Sequence, residues 1–249
     1  MKYLLITLFV FVSVSVSAQT LHTIMMCNKS DRTLARGNEG EAREMGILIP
    51  SLASKLGYRN NLIVHSGQDF TCAILNKEID NLKVGEGDII IFYYASHGVN
   101  WNDSEWPHMA FNDRQYGELA VYNTLRQRFP QAKLILCIAA CCNMDEEGLA
   151  RQKRTYGSLD PKLVKELFTG FEGHRSYIAS SSIRGQYSWV WVAGNRPGHI
   201  FGIALRDAIA SACSGDLRPE WDYVFESAKS KTLQNSGQKQ MPQYEKNRW

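Results

Sequence analysis

The sequence has little net charge. Its 249 residues include 28 Lys and Arg against 25 Asp and Glu, which gives a formal charge of +3. Nucleic-acid binding proteins usually carry a strongly basic surface, so we do not expect a nucleic-acid partner. Hydrophobic residues make up 44% of the chain and charged residues 21%. This ordinary apolar content excludes an intrinsically disordered protein.

Cysteine is also sparse. The six cysteines are too few, and too irregularly spaced, for a domain built on disulfides or for a paired CxxC metal site. Cys27 and Cys137 lie inside apolar runs, where buried free cysteines are common. We therefore predict neither a metal site nor a cofactor.

Long hydrophobic runs are absent after the first residues. The chain begins MKYLLITLFVFVSVSVSAQT, with Lys2 before an apolar stretch and small residues at Val16 and Ala18. Serines interrupt the stretch before the ~20 apolar residues that a membrane span needs. The pattern is typical of a signal peptide cleaved between Ala18 and Gln19. We expect residues 1–18 to be removed, and residues 19–249 to form one domain without a stable membrane span, exported to a periplasmic or extracellular space.

Strand-like and helix-like segments alternate along the rest of the chain. The runs DIIIFYYASHG (Asp88–Gly98) and KLILCIAACCN (Lys133–Asn143) are continuously apolar, as in parallel strands that are covered on both faces. This alternation predicts an α/β fold, a three-layer α/β/α sandwich around a mostly parallel sheet of about six strands.

Reactive side chains stand at the ends of these two strands. His97 and Gly98 follow the first run, and Cys141 and Cys142 close the second. Taken singly, the histidine could cap a strand, and the cysteines could be buried apolar residues or a vicinal disulfide. In parallel sheets, however, catalytic groups gather at the carboxyl ends of strands. A thiol beside an imidazole can form the thiolate needed for nucleophilic catalysis.

At these residues the chain resembles the caspase and metacaspase group of cysteine peptidases, and the resemblance covers nearly all of the expected mature chain. It implies a caspase-like fold, with His97 as the catalytic histidine and Gly98 as a donor to the oxyanion. It also implies Cys142 as the nucleophile, with Cys141 as the alternative if the register shifts by one residue.

The same resemblance points to a substrate cleft. The stretch SSSIRGQYSW (Ser180–Trp189) is similar to the family segment that borders the cleft. We expect substrate contacts at Ala140, Ser181, Ser188 and Trp189. The family Asp that precedes the nucleophile is replaced by Ala140 in the preferred register, which argues against a standard pocket for Arg or Lys.

Caspases bind an acidic side chain of the substrate through arginines, one of which directly follows a Ser-Trp pair. Here Val190 follows Ser188-Trp189, and the sequence does not settle whether Arg36 or Arg184 supplies positive charge instead. The specificity is therefore open.

The sequence predicts a cysteine endopeptidase that acts on a peptide or protein substrate. Two alternatives stay open: an inactive caspase-fold protein that binds a peptide or protein without cutting it, and a transpeptidase. The polar loop Met144–Asp160 is a candidate for self-processing. The sequence does not indicate the oligomeric state.

Overall fold

The central feature of the computed structural model is one six-stranded sheet. The structure describes residues 18–100, 104–142, 158–191 and 197–248. The sheet has the order β11-β8-β7-β3-β1-β2. Its neighbouring strands are parallel except for the pair formed by β11 and β8. The strands are β1 (Thr20–Cys27), β2 (Arg59–His65), β3 (Ile89–Ala95), β7 (Leu134–Ala140), β8 (Arg175–Ser180) and β11 (Gln243–Arg248).

Helices cover both faces of this sheet. They are α1 (Ala35–Leu56), α2 (Cys72–Asn81), α3 (Glu118–Arg128), α4 (Pro161–Thr169), α5 (Ile200–Ser214) and α6 (Trp221–Asn235). One core lies between the sheet and α1, α4, α5 and α6. A second core lies between the sheet and α2 and α3. The predicted α/β/α sandwich around six mostly parallel strands is confirmed.

Short strands extend the loops at one end of the sheet. One small sheet contains β4 (Gly98–Val99), β5 (His108–Ala110) and β6 (Gln115–Gly117), and another pairs β9 (Val190–Trp191) with β10 (Gly198–His199). The sequence analysis predicted none of these, because segments of two or three residues carry no measurable periodicity. No helix in the described part of the chain is long and apolar enough to cross a membrane.

Helix α1 contains Pro50 in its interior. The structure has one helix of 22 residues through this position. Proline costs about 3 kcal/mol inside a helix. The buried side chains of Leu48, Ile49 and Leu52 on either side pack against the sheet and offset that cost.

A buried ion pair links α1 to α5. Glu41 and Arg206 are 0% and 1% exposed, and Arg206 donates to the Glu41 carboxylate. The Tyr93 hydroxyl donates to the same carboxylate oxygen at 2.6 Å, and the main-chain N–H of His199 donates to the other at 2.8 Å. A carboxylate taken out of water is tolerated only with such partners. This network fixes both helices to strand β3.

We expect Arg206→Met to lower the free energy of unfolding by about 3–5 kcal/mol, because it leaves a carboxylate buried without its cation. Urea denaturation measures the change. The matched control is Arg43→Met, which breaks the half-exposed pair of Arg43 with Glu44 and should cost no more than about 1 kcal/mol. Equal losses in the two variants would contradict the importance of the buried pair.

His199 lies beside this ion pair and is 1% exposed. Its Nε2 is 2.9 Å from Asn38 Oδ1. Burial lowers the pKa of His199 to about 4; Glu41 opposes this shift, and Arg206 and His97 add to it. The neutral imidazole is therefore the folded form, whereas an unfolded histidine takes up a proton near pH ~6.5.

This difference predicts a pH-dependent stability. Between about pH 6.5 and about pH 4 the unfolded chain binds a proton that folded His199 does not, so stability falls as the pH falls. The His199 contribution is about 3 kcal/mol at most. His199→Gln should flatten the dependence measured by urea unfolding across this range. An unchanged slope in the variant would show that another group is responsible.

Candidate active site

The parallel pairing of β3 and β7 determines where the candidate catalytic residues leave the sheet. Ala95 pairs with Ala140 at the carboxyl ends of these strands. His97 and Cys142 each stand two residues beyond this pair, so they leave the sheet at the same level. Ala95 and Ala140 both belong to the core under α1 and α5. Two residues is the spacing at which the side chains of an extended chain return to the same face.

Gly98 brings the two strand ends into contact. A Cβ atom on Gly98 would lie 2.5 Å from the carbonyl oxygen of Cys142 and 2.6 Å from Sγ of Cys141. Both distances are far inside van der Waals contact, so only glycine fits here without movement of the backbone. The segment His97-Gly98 therefore lies directly against Cys141-Cys142, as the sequence analysis required.

The two cysteines have different surroundings. Cys141 is 0% exposed and lies in the core under α2 and α3. Burial raises the pKa of the Cys141 thiol well above its usual value, and the charges of Glu118 and Cys142 raise it further. Cys142 is 8% exposed, and its Sγ donates to the Ser188 carbonyl oxygen at 3.1 Å. Of the two thiols, Cys142 is the better suited to meet a substrate.

The His97 side chain is 37% exposed and is held by the loop after β1. Its Nε2 lies 3.1 Å from Asp31 Oδ2 and 3.1 Å from Thr33 Oγ1. The Tyr94 hydroxyl donates to the His97 carbonyl oxygen at 2.6 Å, which fixes the backbone below the ring. The sequence analysis did not identify Asp31 or Thr33.

Asp31 is itself held in place by its neighbours. Its Oδ1 accepts hydrogen bonds from the Thr33 N–H, the Thr33 hydroxyl and the Leu34 N–H at 2.7–2.8 Å. Partial burial alone would raise the pKa of Asp31, but these hydrogen bonds, together with the nearby His97, hold it below its usual value. The carboxylate is thus ionised and rigid beside the imidazole.

Ser181 holds the main chain of Cys141 in place. It is 0% exposed; its hydroxyl donates to the Cys141 carbonyl at 2.6 Å and accepts from the Cys141 N–H at 3.1 Å. Its hydroxyl is therefore occupied by the backbone of the neighbouring strand. Ser181 is one of the predicted substrate contacts, and in the structure its hydroxyl bonds to the Cys141 main chain.

Gln240 holds the segment that carries Ser188 and Trp189. It is fully buried, and its Nε2 donates to the Ser181 carbonyl at 2.8 Å and to the Ser188 hydroxyl at 3.3 Å. Its Oε1 accepts from the Trp189 N–H at 2.9 Å. The sequence analysis missed Gln240, because a lone glutamine near the end of a chain gives no signal of such a role.

These contacts define the candidate active site. A half-exposed histidine and a nearly buried thiol follow adjacent strands, and Gly98 packs against the segment that carries the thiol. The caspase domain family matches residues 24–248.

The chain belongs to the caspase domain family.

Solved structures agree on the fold of this caspase domain. Caspase-1 from Spodoptera frugiperda is 14% identical with a TM-score of 0.59, over 92% of this chain and 88% of that one. Protein GSU0716 from Geobacter sulfurreducens is 12% identical with a TM-score of 0.52, over 92% and 94%. A comparison with curated proteins finds no match. The family is therefore established, while the reaction is not.

The remaining predicted site residues surround this centre without completing a charged pocket. Ala140 is buried in the core, and Ser188 is 2% exposed. Arg36 and Arg184, the two candidate cations, are both exposed. Among the described ranges, no group of three or more His, Cys, Asp or Glu side chains could hold a metal ion.

Two predicted features fall on residues that the structure does not describe. They are the signal peptide over residues 1–18, of which the structure describes only Ala18, and the greater part of the polar loop Met144–Asp160.

The Gln240 contacts predict a local effect on the segment Ser188-Trp189. Gln240→Ala leaves the Trp189 N–H and the Ser181 carbonyl without this partner, at a cost of about 1–3 kcal/mol for each buried group. We expect the Trp189 amide to exchange with solvent at least about tenfold faster, as measured by hydrogen exchange.

A matched control is Gln131→Ala. Gln131 also donates to one carbonyl, that of Val84 at 2.9 Å, but it lies at the opposite end of the sheet. It should leave the exchange of the Trp189 amide unchanged. If both variants accelerate that amide equally, the effect is global and the local role of Gln240 is wrong.

Proposed function

We propose that the protein is a cysteine endopeptidase in which Cys142 is the nucleophile and His97 is the acid and base. The observation that carries this proposal is the contact of Gly98 with the Cys142 carbonyl and the Cys141 side chain, since it brings the loop that bears His97 against the segment that bears Cys142. Membership of the caspase domain family supports the same reaction.

The reaction follows from the groups present. His97 takes the thiol proton, and the Cys142 sulfur attacks the scissile carbonyl carbon. The main-chain N–H groups of Gly98 and Cys142 stabilise the resulting oxyanion. His97 then gives its proton to the leaving amine, which departs and leaves a thioester. A water molecule gives a proton to His97 and attacks the thioester; the sulfur leaves and regains the proton as the acid product is released.

Ser188 has a part in this proposal through its main chain. In the resting protein its carbonyl oxygen accepts the Cys142 thiol. An extended peptide bound along Ser188-Trp189 can place its own N–H on that carbonyl, as peptides do when they add a strand to an exposed backbone edge. Substrate binding would then release the thiol toward His97.

The proposed export follows from the sequence alone. A chain directed out of the cytoplasm would meet oxidising conditions, in which neighbouring cysteines can form a disulfide. The side chains of the two cysteines, however, point in different directions. Cys141 points into the core under α2 and α3, whereas Cys142 points to Ser188. This arrangement disfavours a disulfide between them, so the nucleophile can persist as a thiol.

The alternative is an inactive caspase domain that binds a peptide without cutting it. Ala140 favours it, because no carboxylate stands where the family has one ahead of the cysteine. The Cys–His reaction itself does not use that carboxylate. The loss therefore affects substrate recognition first.

The proposal predicts selective labelling by a peptidyl electrophile. Wild-type protein and Cys141→Ala should be labelled at residue 142, whereas Cys142→Ala should not be labelled, as measured by peptide mass mapping. Cys141→Ala is the matched control, since it removes an adjacent thiol of the same chemistry. Equal labelling of the two variants would contradict the assignment of the nucleophile.

A peptide-library digest separates cutting from binding. Wild-type protein should release new amino termini, and Cys142→Ala should release none. A wild type that binds peptides, is labelled at Cys142 and cuts nothing would favour the inactive alternative.

A further inference from the structure

We propose that Asp31 is a positioning residue that orients His97 and balances its charge, so that the working unit is Cys142, His97 and Asp31. This inference rests on the proposed function and deepens it. Its basis is the distance of 3.1 Å between Asp31 Oδ2 and His97 Nε2. Asp31 follows β1, which pairs directly with β3, so the fold itself delivers the carboxylate to the histidine.

The direction of the hydrogen bonds assigns the proton on the ring. The Thr33 hydroxyl hydrogen is directed at Asp31 Oδ1, 2.7 Å away. Toward His97 Nε2, at 3.1 Å, the Thr33 oxygen can then only accept. Ionised Asp31 also only accepts. Nε2 therefore carries hydrogen, and Nδ1 of neutral His97 carries the lone pair.

This tautomer is the one that the reaction requires. A ring held through Nε2–H leaves Nδ1 as the atom that takes the thiol proton from Cys142. Once both ring nitrogens carry a proton, His97 is a cation, and the Asp31 carboxylate next to Nε2 balances its charge. Asp31 keeps its negative charge throughout and accepts no proton, as in other histidines paired with a buried aspartate.

Hydrogen bonds within the loop around Asp31 orient its carboxylate toward His97. Three donors from Thr33 and Leu34 converge on Oδ1 and leave Oδ2 toward His97. The Asp31 side chain is 17% exposed and that of His97 is 37% exposed. Solvent therefore screens the pair in part, and we expect an effect smaller than that of a fully buried triad.

The test is Asp31→Asn. The new amide oxygen can keep the Thr33 and Leu34 donors, while its NH₂ group faces Nε2 and favours the opposite tautomer. With a peptide substrate we expect kcat to fall about 10- to 100-fold with KM changed less than about twofold, because Asp31 touches the histidine and not the substrate.

Two readouts do not depend on peptide cutting. Nitrogen NMR of ¹⁵N-histidine-labelled protein should show His97 protonated at Nε2 in wild type and shifted toward Nδ1 in Asp31→Asn. The rate of Cys142 alkylation by iodoacetamide at neutral pH should fall several-fold in the variant. If wild type cuts no peptide but both readouts change as expected, the proposed function fails and the role of Asp31 stands.

Asp113→Asn is the matched control. The Asp113 carboxylate also accepts two main-chain N–H groups, those of Cys72 and Ala73 at the start of α2. Burial alone would raise the pKa of Asp113, but these hydrogen bonds, together with Arg114, hold it below its usual value. Asp113→Asn should leave the tautomer and the alkylation rate as in wild type. Thr33→Val keeps the Asp31 carboxylate but removes one acceptor at Nε2 and one of the three donors to Asp31 Oδ1, and it should give an intermediate alkylation rate.

The proposal is overturned if folded Asp31→Asn keeps the wild-type tautomer and labelling rate. It is equally overturned if Asp113→Asn slows Cys142 to the same extent, since the effect would then come from the loops in general.

Discussion

The close packing of Gly98 against the main chain of Cys142 is the constraint on which the site depends. Two parallel strands in matched register end side by side, and the absence of a side chain at Gly98 lets their continuations touch. Any larger residue would push the histidine loop away from the thiol. His97 and Cys142 are 45 positions apart in the sequence, but they follow strands that pair in register, and the proposed reaction depends on this pairing.

The site also depends on a rigid support, and that support is polar. Glu41, Arg206 and Tyr93 join α1, α5 and β3 immediately under the strand ends. His199 extends this network toward His97, whose charge contributes to its lowered pKa. A network of this kind is costly to bury and tolerates few arrangements, which is a physical reason for a well-defined geometry at the sheet edge. Apolar packing alone would hold the helices with less directional control.

The fold was largely predictable, because its central strands are continuous apolar runs and its helices carry clear periodicity. Strand β11 was not predicted, since Gln243–Arg248 is polar and lies at an antiparallel edge. His97, Gly98 and the two cysteines could be found because they end apolar strands. Asp31 could not be found in this way, because Asp is a common residue in the turn that precedes a helix. Gln240 could not either, because its partners are main-chain atoms far away in the sequence, and no local pattern encodes such contacts.

Each reactive group of the resting site is held by a partner of its own. The Cys142 thiol bonds to Ser188, on the segment held by Gln240, and His97 bonds to Asp31, on the loop after β1. With alanine at position 140, the strand before the cysteine offers a substrate no charge. In the proposed reaction, substrate recognition would therefore depend more on main-chain contacts along Ser188-Trp189. In the proposed reaction an incoming peptide that bonds to the Ser188 carbonyl competes with the Cys142 thiol for that acceptor, so peptide binding would favour release of the thiol toward His97.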